Sequence, residues 1–358
     1  MYKMMTPGPT QVRENVRMAR SLEFQNPDLD ADFVEYYKET CELYSRLLHT
    51  KNESLILDGE GILGLEAACA SLTEPGDRVL VLDNGVYGAG FKDFVEMYGG
   101  CAVMYTCDRN HPIDAEALAA FLAKNHDFKY ATVVHCDTPS AMLNDISVLC
   151  PLLHSYGILT VVDSVSAMFG EEVRVDDWNI DLLCGGSQKA ISAPPGLSLV
   201  TISEDAKKAI HARKTKIASF YANLQIFDNY YENKWFPYTM PASDIYGLHQ
   251  ALENIAADSE IYRRHQEVAS YTRTRLKEMG LTLFPESGYC ATVSAFLIPE
   301  GFTAQEICER LLHEHNIMVA GSFDEFAGKL IRIGHMGENA RMEQVQELLD
   351  ALEEILRS

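Results

Sequence analysis

The sequence predicts an α/β fold: a large domain built on a mainly parallel, doubly wound seven-stranded sheet, followed by a small C-terminal α+β domain. Three observations predict it. Apolar runs of strand length alternate with helical patterns from about residue 30 to 210, which is the rhythm of a parallel sheet wound by helices. Glu74-Pro-Gly-Asp77 punctuates that rhythm at a helix-to-strand turn. Beyond residue 280 the pattern becomes strand, helix, strand, helix.

Taken in order, the strands are expected at 54–57, 78–82, 102–106, 130–135, 158–163, 181–184 and 197–202. The helical patterns between them cover 64–72, 91–98, 114–124 and 146–156. From 243 to 279 the chain reads as long helical stretches with few breakers, suited to connecting two domains. The C-terminal portion supplies strand 291–298, helix 304–315, strand 330–333 and helix 342–356. No internal repeat or low-complexity segment interrupts the series.

With 358 residues and 47% hydrophobic content, the chain is long enough for a large core and a smaller second one. Its formal net charge of −22 makes nucleic acid and anionic membrane surfaces poor partners. An anionic substrate then needs a local basic pocket. Nine cysteines form no CxxC pair and no Cys/His zinc spacing, so no metal site is expected. Cys69, Cys136 and Cys184 lie in apolar runs and read as buried thiols of a reducing compartment. The N-terminus shows no signal-peptide core and no apolar run approaches membrane-spanning length, so a cytoplasmic protein is expected.

The chemistry centres on Lys189, within Asp181-Leu-Leu-Cys-Gly-Gly-Ser-Gln-Lys-Ala-Ile-Ser-Ala-Pro-Pro-Gly196. A strand delivers this amine into small residues, where an enclosed lysine loses charge and becomes a nucleophile. Upstream, Leu159-Thr-Val-Val-Asp163 is an apolar strand ending in a carboxylate. In open α/β sheets ligands collect at such carboxyl ends. An Asp at one strand end with a Lys beyond the next suits pyridoxal phosphate, because a carboxylate on the pyridine nitrogen keeps it protonated and the ring an electron sink. Asp58-Gly-Glu-Gly-Ile-Leu-Gly64 follows a strand and opens a helix, where backbone N–H groups and the helix dipole favour a phosphate. Its glycines also fit the GxGxxG of nicotinamide-binding folds, with Asp83 near the place of that fold's acidic residue. The Asp163/Lys189 pair decides against that alternative. Tyr87, between Val86 and Gly88 past a strand end, is placed to lie on a pyridine face.

With these segments the chain resembles the class V aminotransferases of pyridoxal phosphate fold type I, in particular the alanine–glyoxylate / serine–pyruvate branch. The resemblance is carried by Thr6-Pro-Gly-Pro-Thr10, Gly59-Glu-Gly-Ile-Leu-Gly-Leu-Glu-Ala-Ala68, Asn84-Gly-Val-Tyr-Gly88, Val162-Asp-Ser-Val-Ser166, Gly186-Ser-Gln-Lys-Ala190 with Pro194-Pro-Gly196, Tyr238-Thr-Met-Pro241 and Ile331-Arg-Ile-Gly334. It implies that Lys189 is the Schiff-base lysine and proton carrier, Asp163 the partner of the pyridine nitrogen and Tyr87 the stacking ring. Gly61, Ile62 and Gln188 then donate to the phosphate. Tyr238 or Phe236, with Thr239, completes the phosphate cup of a partner subunit in a homodimer. Arg332 grips the substrate carboxylate, and Gly8 belongs to a segment over the substrate site. It further implies an N-terminal arm over residues 1–20, a large domain over 21–255 and a small domain over 256–358.

Two departures from the family pattern stand out. His135-Cys-Asp-Thr-Pro-Ser-Ala141 replaces the usual His-x-Glu-Ser/Thr-Ser/Thr-Thr-Gly, so Pro139 removes a hydroxyl that commonly bonds the cofactor's 3′ oxygen. Thr138 or Ser140 is left to substitute for it. Glu60 stands where the branch often has Ser, and a carboxylate there is expected to point away from the phosphate or to meet a substrate or partner-chain cation. The expected function is transfer of an amino group from alanine or serine to glyoxylate or pyruvate by a ping-pong mechanism. The alternatives are another donor, such as 2-aminoethylphosphonate or ureidoglycine, and lyase or desulfurase chemistry on the same fold.

Overall fold

A computed structural model describes residues 2–23 and 26–357. The seven expected strands are present as β1 (Glu53–Asp58), β2 (Arg78–Asp83), β3 (Cys101–Thr106), β4 (Tyr130–Val134), β5 (Leu159–Asp163), β6 (Leu182–Gly186) and β7 (Leu197–Ile202). They form one sheet in the order β1-β7-β6-β5-β4-β2-β3. Only β7 runs antiparallel to its neighbours. The central strands β4 to β6 are buried almost throughout, which is why they read as unbroken apolar runs rather than alternating ones.

Two helices carry the site. α1 (Gly61–Leu72) follows β1, and α2 (Val86–Met97) follows β2. α2 starts at Val86 rather than at 91, because the first turn is capped from outside: Asp137 Oδ1 accepts from the Tyr87 N–H at 2.9 Å. Its own N-cap, Gly85, has no side chain to do this. The stretch 243–279 divides into α3 (Ala242–Ala256) and α4 (Ile261–Glu278). At the break Asp258 accepts from the Glu260 N–H and pairs with Arg264, a local competition with helical bonding that favours a boundary.

A second, three-stranded antiparallel sheet contains β8 (Val293–Leu297), β9 (Ala320–Gly321) and β10 (Leu330–Gly334) in the order β8-β10-β9. Its core brings together Phe296, Ile307, Ile331, Leu348 and Leu352, and also Met5 from the chain start. That last contact was not expected from the sequence. Lys3–Met4 pairs in parallel with Ile317–Met318, and the Gly334 N–H donates to the Met5 carbonyl at 2.8 Å. A two-residue strand has no periodicity to read, so its partner decides it. Among the described residues no helix is long and apolar enough to cross a membrane, and no cluster of three His, Cys, Asp or Glu could hold a metal.

The arm can lie this close to β10 only because residue 334 has no side chain: a Cβ there would overlap the Thr6 carbonyl. We therefore expect Gly334→Ala to lower the stability by about 1–3 kcal/mol through overpacking. Urea unfolding should show the loss, and limited proteolysis should cut the first ten residues sooner. Unchanged stability and cleavage would contradict the packing of the arm.

Candidate active site

The site lies along the carboxyl edge of the large sheet, where β1, β5 and β6 end in Asp58, Asp163 and Gly186. A cavity there is lined by Glu60, Ile62, Tyr87, Thr138, Asp163, Val165, Ser166, Gln188 and Lys189, with Leu65 beneath. Six of the residues proposed from sequence line it together, Ile62, Tyr87, Thr138, Asp163, Gln188 and Lys189, and Gly61 lies beside Ile62 in the first turn of α1.

Asp163 is buried, and its Oδ1 accepts from the Val165 N–H at 2.9 Å. Burial, reinforced by the charge of Asp137, pushes its carboxyl up to about 7. Its strand is braced by His135, whose N–H donates to the Asp163 carbonyl and whose Nδ1 lies 3.0 Å from the Ser164 hydroxyl. Burial pulls the His135 imidazole down to about 3, so it is neutral at physiological pH.

Lys189 leaves the end of β6 and reaches the same cavity, with Nζ donating to the Pro7 carbonyl at 2.5 Å. Burial, and then the charge of Arg332, lowers its amine to about 8. The N-terminal loop covers it closely: a Cβ on Gly8 would stand 2.8 Å from Nζ, and Gly8 holds a φ of +96°, where glycine is favoured. The Thr10 N–H and hydroxyl tie this loop down onto the Gln188 and Lys189 carbonyls.

Arg332 sits in β10, buried, with Nε and Nη2 donating to the Gly321 carbonyl at 3.0 and 2.8 Å. Nη1 makes no hydrogen bond among the described residues. Its guanidinium stacks 5.2 Å from the Phe323 ring, and Phe323 meets Tyr87 edge-on at 6.2 Å. Burial pushes the Tyr87 hydroxyl up to about 12, keeping it protonated.

The two departures resolve differently from one another. Thr138 lines the cavity, whereas the Ser140 hydroxyl donates to Asp137 Oδ2 at 2.6 Å. Pro139 turns its carbonyl to the Ser322 hydroxyl at 2.8 Å, joining the two sheets' loops. Of the two positions expected for Glu60, turned away from the phosphate turn or set against a substrate or partner-chain cation, the structure departs from the first. Glu60 caps α1: Oε1 accepts from the Ile62 N–H at 3.2 Å and Oε2 from Gln188 Nε2 at 3.0 Å. A carboxylate at a helix start is favoured by the unpaired N–H groups there, and that local attraction outweighs the reason for turning out.

Tyr238 and Thr239 line no part of this cavity. Tyr238 stacks on Tyr221 at 4.5 Å, and the Thr239 hydroxyl donates to Asp28 at 2.8 Å. Asp83, the acidic residue of the nicotinamide alternative, instead pairs with Arg109. Four contributors were not singled out from sequence. Pro7, Asp137 and Ser166 lay inside quoted segments, while Phe323 carries no local signal.

The profile of the family described as aminotransferase class V matches residues 13–345. An uncharacterized aminotransferase of Methanocaldococcus jannaschii is 33% identical over 338 residues, spanning 93% of this chain and 87% of that protein. The pyridoxamine–pyruvate transaminase of Mesorhizobium japonicum is 32% identical over 323 residues, spanning 88% and 81%. The crystal structure of an alanine–glyoxylate aminotransferase from Nostoc superimposes with a TM-score of 0.95 at 30% identity, over 99% of this chain and 95% of that one. Fold, strand-end site and family match agree, and with them come transamination as the reaction and pyridoxal phosphate as the family's cofactor. The chain belongs to the class V aminotransferases, on the α/β architecture of pyridoxal phosphate fold type I.

Proposed function

We propose that the chain moves an amino group between a small amino acid, alanine or serine, and a small 2-oxo acid such as pyruvate or glyoxylate. The observation that carries this reading is the charge pattern around the cavity. Among the described residues Lys189 is the only basic side chain lining it, and Arg332 adds one buried guanidinium, close enough for its charge to lower the Lys189 amine. Arg109, near Asp137, is held by Asp83 and by Glu325 at 3.0 Å. One fork matches one α-carboxylate. Among the described residues no second cation at the cavity is free for a phosphonate or a distal carboxylate, which speaks against 2-aminoethylphosphonate. The names of the Nostoc and Mesorhizobium relatives, with glyoxylate and pyruvate as acceptors, support the same size class.

The ring half of the cofactor fits the residues present. Ser166 Oγ and Gln188 Oε1 are buried without a hydrogen-bond partner among the described residues, and both line the cavity, as a polar ligand requires. The bound ring supplies an electron sink for the pair left when a substrate C–H bond is broken. Asp163 is the residue that would face the ring nitrogen and keep it protonated. Tyr87 is the residue that would cover one ring face. Lys189 is the residue that would anchor the ring, and its amine would carry a proton to and from the substrate. The Pro7 carbonyl orients that amine, and the Gly8 loop packs closely against its side chain.

Desulfurase chemistry is disfavoured by the thiols. Cys136 and Cys184 are buried beside the site and burial pushes both well up, the reverse of a reactive thiolate. A homodimer accounts for Tyr238 and Thr239: both lie in a segment with exposed aromatics Phe220, Tyr221 and Trp235, and Ile62, on the cavity wall, is 42% exposed. A second copy laid over this face would cover those rings and bring its own 238–239 segment to the cavity mouth.

Two outcomes test the reading. Arg332→Ala should cut kcat/KM for alanine and pyruvate by about 2–5 kcal/mol, mostly through KM, with Lys falling between. Loss confined to kcat would argue against a carboxylate clamp. Lys189 loses its proton near 8, so capture of a pyridoxal carbonyl by cofactor-stripped protein should accelerate as pH rises through that value and level off above it. Stopped-flow absorbance reads this directly, and a flat rate between pH 7 and 9 would contradict the lowered amine.

A further inference from the structure

The Glu60 carboxylate occupies the hydrogen-bond donors that the family pattern reserves for the cofactor's 5′-phosphate. It is bonded to the Ile62 N–H and to Gln188 Nε2, at the N-terminus of the twelve-residue helix α1. A helix start presents a limited positive field, equivalent to roughly half a charge. One carboxylate already uses it. Among the described residues Glu60 has no cationic partner, so nothing nearby draws it off. The rest of the described lining does not compensate: Asp163 is a second acid, and the single amine, Lys189, is held by the Pro7 carbonyl. A dianionic phosphate entering here would meet a carboxylate on its own donors.

A hydroxymethyl group meets the opposite situation. Its O–H is a donor, and a carboxylate has lone pairs to spare after accepting from Ile62 and Gln188. Its oxygen in turn accepts. Ser166 Oγ, 2% exposed as a residue, and Gln188 Oε1, on a residue 8% exposed, are unpartnered in the same cavity. They provide one further donor and one further acceptor of neutral character, which suit a ligand bearing hydroxyls rather than a phosphate ester.

We propose that Glu60 reads the 5′ substituent of the bound ring, accepting an unphosphorylated 5′-hydroxymethyl and disfavouring the 5′-phosphate, so that free pyridoxamine serves as an amino donor and leaves as pyridoxal. This rests on the reading that Lys189, Asp163 and Tyr87 hold the pyridine ring and that Arg332 holds the oxo acid. The transfer is balanced without another reagent. The C4′–N bond of pyridoxamine breaks and the Cα–N bond of the amino acid forms. The carbonyl oxygen of the 2-oxo acid is transferred, by way of water, to C4′. A proton leaves C4′ and one arrives at Cα, both handled by Lys189. Pyridoxamine is oxidised to the aldehyde as the oxo acid is reduced to the amino acid. Without the phosphate anchor, the ring is bound reversibly enough to exchange at each turnover.

The test is equilibrium binding of pyridoxal and of pyridoxal phosphate to stripped full-length protein, read by the visible absorbance of the lysine-bound ring, for wild type, Glu60→Ser and Glu60→Gln. Serine is a preferred helix cap, so this variant keeps α1, and its melting curve verifies that. Wild type should bind pyridoxal at least roughly a hundredfold tighter than its phosphate, and Glu60→Ser should reverse the order. Glu60→Gln should fall between, having lost the charge but kept the size. Pyridoxamine with pyruvate should give saturable formation of pyridoxal and alanine in equal amounts. If wild type prefers the phosphate ester and Glu60→Ser leaves that preference unchanged, the proposal is overturned while the site reading stands. If neither form binds to wild type, or Lys189→Ala develops the same absorbance, the site reading itself fails.

Discussion

Lys189 reaches its cavity between two constraints: the Gly8 loop pressed against its side chain, and the buried Asp163 carboxylate across from it. The first depends on a chain start stitched to the small sheet through Met5 and Gly334, the second on a strand whose last residue has nowhere else to point. Enclosure and the charge of Arg332 take part of the amine's charge away, whereas Asp163 works the other way and favours the charged form. Much of the surrounding structure is read most simply as support for that enclosure. His135 braces the Asp163 strand, Thr10 pins the arm to the lysine's own carbonyl, and Pro139 links the site loop to the strand region that carries Arg332.

The two carboxylates of the cavity illustrate how environment separates equal groups. Asp163 is buried and its carboxyl is pushed up to about 7, which suits a proton shared with a ring nitrogen. Glu60 stands at the cavity mouth as a helix cap and meets N–H donors instead. One position invites a protonated nitrogen and the other an O–H. A ligand spanning both would carry a basic nitrogen at one end and a hydroxyl at the other, a description that unphosphorylated pyridoxal satisfies.

Much of this was legible in the sequence because it is local. A strand end fixes where Asp163 points, and the small residues around Lys189 mark the turn that exposes it. The seven strands followed from apolar runs that parallel, doubly covered strands must have. What escaped was tertiary. Glu60 was expected to turn outward or to meet a cation on the argument of charge alone, but its partner Gln188 lies 128 residues away in sequence and only the fold brings their atoms to 3.0 Å. The Phe323 ring that Arg332 stacks on, and the Met5 strand pairing, likewise depend on partners no periodicity announces. The early start of α2 was hidden for the same reason, its cap being Asp137 from another segment.

The central claim, that this lysine site transfers amino groups between small substrates, is most directly tested by a single half-reaction. Protein carrying a pyridoxal ring on Lys189 should be mixed with alanine in the absence of any oxo acid, and the visible absorbance followed while pyruvate is quantified. The account predicts that the yellow band bleaches to the pyridoxamine form and that one pyruvate appears per site, with no ammonia. Ammonia or sulfide release with the band retained, or no change with any small amino acid, would contradict it.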